Sequence, residues 1–406
     1  MVSGYMSPSP NSPSPIPSSP EASCIALLIE SDGPGGAEVM LLHLAEEMRR
    51  RGHSVLHVGP EHGAGWLSGR FRDLGFESAT FSHRLSVDPA CVRGLARLFR
   101  THGITVVHSH EFAMAVYGAA AARRVNAAHV ITMHGGRYYA ERWRRRAALR
   151  WAARRSNALV AVSRATGADL SKTLGLDAKE VTVVPNGIPF RSGSRAPLRR
   201  ELGVADDGLL IVAIGNLYPV KGHSVLLRAL AELPRGAAAA PWHLAIAGRG
   251  GEETALRALA RETGLEQQIH LLGFRPDVPD ILAAADIFVM PSLSEGLPLA
   301  LVEAMAASLP VIASDVGGIP EVAERDAEAL LIAPGDARAL AAALARLLGD
   351  SALRASLGTA AHGRAIRDFS IDRMGDAYER LYSRPRAFVT ASGTDSAALS
   401  ARGTEP

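Results

Sequence analysis

Glu295 and Glu303, separated by seven residues, form the pair of acids best spaced in this chain for shared chemistry. They stand in Ser294-Glu295-Gly296-Leu297-Pro298 and the apolar run that follows. Pro298 suits the first turn of a helix, where its missing N–H costs nothing. Glu295 then belongs to the loop entering that helix and Glu303 to its second turn, so both can face one crevice. Free amides and the positive end of the helix dipole lie between them and attract anions. Amides for anionic oxygens and carboxylates for hydroxyls would suit a phosphorylated sugar. A solvated, capped helix start is the plainer alternative. What favours a site is the strand pattern just ahead, Ala285-Asp286-Ile287-Phe288-Val289-Met290-Pro291-Ser292, which delivers the loop to a sheet's carboxyl end. Open parallel sheets bind ligands there.

Three further motifs sit at comparable places. Ser31-Asp32-Gly33-Pro34-Gly35-Gly36-Ala37-Glu38 follows the first strand pattern and opens a helix, so backbone at Gly35 and Gly36 can approach an anion closely. It is not a dinucleotide fingerprint, since Glu38 replaces the third glycine, and it lacks the Gly-Lys-Ser/Thr of a P-loop. Gly215-Asn216-Leu217-Tyr218-Pro219-Val220-Lys221-Gly222 holds the corresponding place in the second half. Lys221, just before a helix, can serve a diphosphate as a point charge. His134 ends a buried strand pattern before Gly135-Gly136, where it either meets a reacting centre or caps a turn. His108 and His110 share one strand face without an evident third ligand, which favours a structural role over a metal. Asp-x-Asp occurs nowhere in the chain.

These residues need a scaffold of strand ends. Short β-rich runs at 25–29, 54–58, 105–108, 129–133, 159–162 and 181–184 alternate with helical patterns in the first half. A second set follows at 209–214, 243–247, 269–272, 287–290, 311–313 and 330–332. Strand–helix alternation predicts α/β domains, each a parallel sheet with helices on both faces. Val184-Pro185-Asn186-Gly187-Ile188-Pro189 carries turn chemistry and places the boundary near residue 190. The expected organisation is a Pro/Ser-rich disordered leader (1–20), a first Rossmann-like domain (21–190) and a second (191–370). A helix at 371–384, with Met374, Tyr378 and Tyr382 on one stripe, is expected to cross between domains, and 385–406 to be a disordered tail.

The chain has 406 residues, 47% apolar and 5% aromatic, with a net charge of +3. Many arginines closely matched by acids argue against nucleic acid as a partner. Two isolated cysteines fit a reducing compartment and supply no zinc or redox motif. The N-terminus lacks the basic region and apolar core of a signal peptide, and no apolar run reaches the roughly 18 residues of a membrane span. Residues 137–155 hold eight arginines, one glutamate, Tyr138, Tyr139, Trp143 and Trp151. Such a basic, aromatic segment, with Arg142, Trp143, Arg144, Arg145 and Arg146 at its centre, either lies on an anionic membrane or is a surface helix with its tryptophans packed inward.

Together these motifs resemble glycosyltransferase family 4, the retaining GT-B enzymes that transfer sugars from nucleotide donors. The resemblance rests on Gly-Pro-Gly-Gly-Ala-Glu at 33–38, Met-His-Gly-Gly at 133–136, Val-Pro-Asn-Gly-Ile at 184–188, Lys221-Gly222 and Gly273-Phe274. The most specific is Ser-Glu-Gly-Leu-Pro-Leu-Ala-Leu-Val-Glu-Ala-Met at 294–305. It implies a GT-B fold, two Rossmann-like domains with parallel sheets facing an interdomain cleft. It further implies that Glu303 binds the donor ribose, that Glu295 contacts the transferred sugar and that amides of Gly296 and Leu297 hold sugar or phosphates. Lys221 would neutralise the leaving diphosphate, Gly35 and Gly36 would approach it from the opposite domain, Phe274 and Arg275 would flank the base, and His134 would sit beside the sugar. An arginine usual in the family before Leu217 is here Asn216, with Arg249 as a possible substitute charge.

The implied activity is retaining, metal-independent hexosyl transfer from a UDP- or GDP-sugar, the nucleotide sugar being a co-substrate and no cofactor being needed. The acceptor would be a glycan, in particular a lipid-linked intermediate of cell-surface polysaccharide synthesis. The location would be cytoplasmic, peripheral on the inner face of the cytoplasmic membrane. The alternatives are a small soluble acceptor, or a non-catalytic glycan- or nucleotide-binding subunit.

Overall fold

The computed structural model describes residues 22–83, 88–135, 138–234, 236 and 240–383. The expected leader and tail lie outside the described residues. Seven parallel strands build the first sheet: β1 (Cys24–Leu28), β2 (Ser54–Pro60), β3 (Glu77–Phe81), β4 (Val106–His110), β5 (Ala128–Met133), β6 (Ala158–Ala161) and β7 (Val181–Val183). Their order is β3-β2-β1-β4-β5-β6-β7. Six parallel strands build the second: β8 (Leu209–Ile214), β9 (Trp242–Ala247), β10 (Ile269–Gly273), β11 (Ile287–Met290), β12 (Val311–Ser314) and β13 (Ala329–Ile332). Their order is β10-β9-β8-β11-β12-β13. Apart from half-buried Cys24 at the start of β1, the central strands are buried throughout, as parallel strands covered by helices on both faces require.

Each sheet reverses its winding at its first strand: β1 lies between β2 and β4, and β8 between β9 and β11. A crevice opens outside the carboxyl ends of the strands at such a switch point. The loops after β1 and β5 carry Gly35 and His134, Glu111 opens the helix directly after β4, and the loops after β8 and β11 carry Asn216 and Glu295. The fold thus collects the chemistry-bearing loops at two switch points. One strand, β3, was not expected. Glu77-Ser78-Ala79-Thr80-Phe81 is an edge strand with only Phe81 buried, so it lacks the apolar run that marks its neighbours.

The chain passes between the domains twice, side by side. The segment after β7 meets the segment after the second domain at the bridge Ile188–Ser370. The Ile371–Tyr382 helix then packs on the first domain rather than the second. Tyr378 is fully buried, Arg51 pairs with Asp376 at 2.7 Å and Glu379 at 2.8 Å, and His53 Nε2 stands 3.1 Å from Glu379. Glu321 in the second domain closes the front of the crossing. Its two carboxylate oxygens accept the amides of Arg164 and Ala165 at 2.7 Å, capping a helix of the first domain.

Candidate active site

On the second domain, β11 runs into Ser292 and the Glu295 loop. Glu295 Oε1 accepts hydrogen bonds from Lys221 Nζ and from Ser292 Oγ, each at 2.7 Å. Lys221 reaches it because the Pro219–Lys221 turn is pressed against the end of β11. Gly222 there has φ 66°, and a Cβ on it would collide with the Pro291 carbonyl oxygen. Pro298 is the N-cap of the Leu299–Ala306 helix, one position ahead of the first turn where the sequence suggested it. Glu303 sits one turn in and lines the cleft. Burial pushes its carboxyl up to about 7, with Arg191 from the linker pulling the other way. The Leu297 carbonyl accepts Asn186 Nδ2 at 2.9 Å, tying this loop to the linker.

The first domain presents its Gly-rich loop and His134. Gly35 is the N-cap of the Gly36–Arg50 helix, and no heavy atom lies within 4 Å of where a Cβ on Gly36 would stand, so that backbone faces open space. Asn216 Nδ2 donates to the Pro34 carbonyl at 3.3 Å, so the residue that brings no charge instead joins the loops after β1 and β8 across the cleft. The His134 amide donates to Glu111 Oε1 at 2.9 Å, and its ring Nε2 lies 3.0 Å from His110 Nδ1. Burial holds the His134 ring down to about 4, so it is a neutral imidazole. Glu111 has φ 64°, a left-handed conformation uncommon for a residue with a side chain. Burial pushes its carboxyl up to about 7, against the pull of the His134 amide and with Glu30 and Glu38 adding to the rise. The domains touch where the His134 carbonyl meets Gly296, at which any Cβ would collide with that oxygen.

At the other end Phe274, 41% exposed, meets Trp66 of the first domain edge to face, with centroids 6.1 Å apart. Trp66 opens the Trp66–Asp73 helix, whose N-terminus is held by buried Asp32: its carboxylate accepts the amides of Gly65 and Ser68 at 2.8 Å. Arg249 is not among the cleft-lining residues; its guanidinium carbon stands 5.8 Å from the Phe274 centroid, drawn to the ring face. Besides Lys221, the lining cations are Arg70, Arg191 and Arg275, and the Arg275 guanidinium is already engaged by Asp277 and Glu201. The cleft is one cavity of about 960 Å³ that takes in Gly35, Gly36, His134, Asn216, Lys221, Phe274, Arg275, Glu295, Gly296, Leu297 and Glu303. Arg249 and the membrane-surface set lie outside it.

The family described as Glycosyltransferase Family 4 matches residues 34–191, and that described as Glycosyl transferases group 1 matches residues 194–364. The two matches meet at the linker and take in every cleft-lining residue except Ser192 and Gly193. This chain belongs to glycosyltransferase family 4. Its two facing parallel-sheet domains are the GT-B fold. HepE of Anabaena, solved in complex with UDP-glucose, is 25% identical with a TM-score of 0.77, covering 89% of this chain and 100% of that one. A D-inositol 3-phosphate glycosyltransferase of Xylanimonas cellulosilytica is 33% identical over 243 residues, 56% of this chain. The chain spans 57% of that relative's length. A UDP-Gal:α-D-GlcNAc-diphosphoundecaprenol α-1,3-galactosyltransferase of Escherichia coli is 26% identical over 300 residues, 71% of this chain and 77% of the relative.

In this family-4 chain the basic segment forms the Trp143–Ala153 helix, while Arg137 lies outside the described residues. Trp143 is 66% exposed, so it does not pack inward, whereas Trp151 is half-buried. Arg142 and Arg144 are exposed; Arg145 pairs with Glu141 at 2.9 Å, and Arg146 donates to the Ala140 carbonyl at 2.7 Å. Among the described residues no helix is long and apolar enough to cross a membrane. Sequence reasoning missed Trp66, Glu111, Asn186, Arg191 and Ser292 as parts of the cleft and its supports. Glu111 directly after a strand pattern, Asn186 in its turn motif and Ser292 at the end of a strand pattern offered positional signals, whereas Trp66 and Arg191 offered none.

Proposed function

We propose that this protein transfers a hexose from UDP-sugar to a glycan acceptor with retention of configuration and without a metal ion. The observation that carries the reading is the facing of two halves across one cavity: Lys221, Glu295 and Glu303 on one wall, and Gly36 and His134 on the other. Lys221 and the amides at the start of the Leu299–Ala306 helix stabilise charge that grows on the departing diphosphate. Glu303 accepts from ribose hydroxyls and Glu295 from hydroxyls of the transferred sugar. The acceptor oxygen bonds to the anomeric carbon on the face from which the phosphate oxygen departs, and that oxygen takes the acceptor's proton. No protein nucleophile is assigned. UDP is favoured over GDP because the names of the Anabaena and E. coli relatives carry UDP.

A lipid-linked acceptor at the inner face of the cytoplasmic membrane is favoured by exposed Trp143 between exposed Arg142 and Arg144, and by the diphosphoundecaprenol in the E. coli relative's name. A small soluble acceptor is the second reading, favoured by the inositol phosphate named in the X. cellulosilytica relative. Calorimetry against UDP, GDP and ADP, with and without magnesium, tests the donor side. Selective, magnesium-independent binding of UDP is expected. A folded protein that binds none of them would overturn the enzyme reading in favour of a non-catalytic subunit. Transfer to lipid-linked and to water-soluble acceptors then separates the two acceptor readings.

A further inference from the structure

Three histidines and two tyrosines form one buried array behind the cleft, and it reaches His134. On β4, His108 and His110 point the same way, with ring centroids 4.2 Å apart, and both are fully buried. His108 is held at both nitrogens: Nδ1 lies 2.8 Å from Tyr382 Oη, and Nε2 lies 2.8 Å from Thr132 Oγ1. Thr132 Oγ1 is in turn 3.0 Å from Tyr378 Oη. Both tyrosines belong to the Ile371–Tyr382 helix, so the returning chain clamps His108, and His110 packs against His108. His110 and His134 stack with centroids 5.3 Å apart and meet through Nδ1 and Nε2 at 3.0 Å.

The array decides where the His134 proton sits. Burial holds all three rings neutral, so one nitrogen of the His110–His134 pair must donate and the other accept. His110 Nε2 is buried with no hydrogen-bond partner among the described residues. A buried N–H without a partner is rarer and costlier than an unused lone pair. His110 therefore keeps Nε2 bare and carries its hydrogen on Nδ1, which donates to His134 Nε2. His134 must then carry its own hydrogen on Nδ1, which makes no hydrogen bond to the described residues although the residue lines the cleft.

We propose that His110 is a positioning residue that locks His134 in the Nδ1–H tautomer, so that His134 offers the cleft a hydrogen-bond donor for an oxygen lone pair of the bound sugar. Neither nitrogen of His134 is left to take a proton: Nδ1 already holds one, and the lone pair of Nε2 is occupied. His134 is thus barred from acting as general base for the acceptor hydroxyl. The sugar's involvement rests on the proposed function, whereas the tautomer follows from the protein alone and is tested without any ligand.

The test is nitrogen NMR of the full chain labelled with ¹⁵N-histidine, the His134 signals being those lost in His134→Asn. The expected result is a protonated Nδ1 and an unprotonated, hydrogen-bonded Nε2 at neutral pH. Protonated Nε2 with bare Nδ1 in the unmodified protein would overturn the proposal, whatever the variants do. His110→Asn keeps a donor near the place of Nδ1 and should leave the His134 pattern as it was. His110→Phe fills the place of the ring but removes the donor, so the hydrogen-bonded signature of His134 Nε2 should be lost. A His134 Nε2 that is still hydrogen-bonded in folded His110→Phe would show that His110 is not its donor. UDP binding is the control for the cleft: its loss in the unmodified protein would count against the proposed function, not against the tautomer.

Discussion

Replacing Glu295 by Gln should tighten UDP binding while abolishing transfer. Glu295 Oε1 holds Lys221 Nζ at 2.7 Å, and their side chains are 8% and 27% exposed. A diphosphate that reaches Lys221 therefore comes within about 6 Å of an ionised carboxylate. At an effective dielectric of about 20 to 40, two unit charges that far apart repel by roughly 1 to 3 kcal/mol. The partial exposure of Lys221 argues for the lower end, about 1 kcal/mol, which is roughly fivefold in affinity. Glutamine keeps an acceptor for Lys221 and Ser292, so the geometry survives and only the charge is removed. Calorimetric titration of UDP into both proteins, with circular dichroism as the folding check, reads the difference directly. Weaker binding by Glu295→Gln would refute the electrostatic argument. It would mean that the carboxylate serves chiefly to hold Lys221 in place. Lys221→Ala provides the scale, since loss of a charge-assisted hydrogen bond of about 1.5 to 3 kcal/mol weakens UDP by roughly 10- to 100-fold.

Other outcomes follow from the same cleft. Glu303, raised to about 7, should lose its proton when it accepts ribose hydroxyls, so UDP binding near pH 6.5 should release protons, measured by calorimetry in buffers of different ionisation enthalpy. Glu303→Gln should remove that component, and only that component, because the nucleotide's own phosphate also titrates near pH 6. The raised carboxyls of Glu303 and Glu111 favour the folded state fully below their unfolded value of 4.5 and lose that contribution as pH climbs through about 7. Glu111→Gln should therefore flatten the fall in melting temperature between pH 5 and 8. Trp66→Ala should weaken UDP by roughly 2- to 10-fold through loss of an aromatic contact of about 0.5 to 1.5 kcal/mol, and should remove a tryptophan fluorescence change on binding. Gly296→Ala should abolish transfer and lower the melting temperature, since its Cβ would strike the His134 carbonyl and hold the domains apart, and the buried cluster that includes Leu297 and Leu299 runs from one domain into the other. Changing Arg142 and Arg144 to Gln should weaken binding to anionic vesicles by about fivefold per residue, at roughly 1 kcal/mol each. Changing Arg145 and Arg146, already paired, should matter less in the same flotation assay.

Much of this architecture was readable along the chain because its causes are local. Parallel strands in such sheets appear as short β-rich runs, and twelve of the thirteen were visible in that way, the half-open edge strands β7 and β10 among them. The thirteenth, β3, is an edge strand half open to solvent, and its residues carry no apolar signature. Glycine and proline at 33–36, 222 and 296–298 announced loops at strand ends, and strand ends at a switch point are where sites form. Glu295, Lys221, Glu303 and His134 could be nominated for that reason. Their partners could not. That Glu295 pairs with Lys221, that Asn216 reaches across to Pro34, and that Trp66 closes on Phe274 depend on how two separately wound domains meet. No periodicity in a sequence encodes the relative placement of two rigid bodies. The raised carboxyls of Glu303 and Glu111 and the lowered ring of His134 likewise come from desolvation in the assembled cleft, a property of the surroundings and not of the residue. The histidines of β4 mark the division most clearly. Their shared face was legible from the alternation of a strand, but their role was set by a helix that returns from residue 371 to cover them.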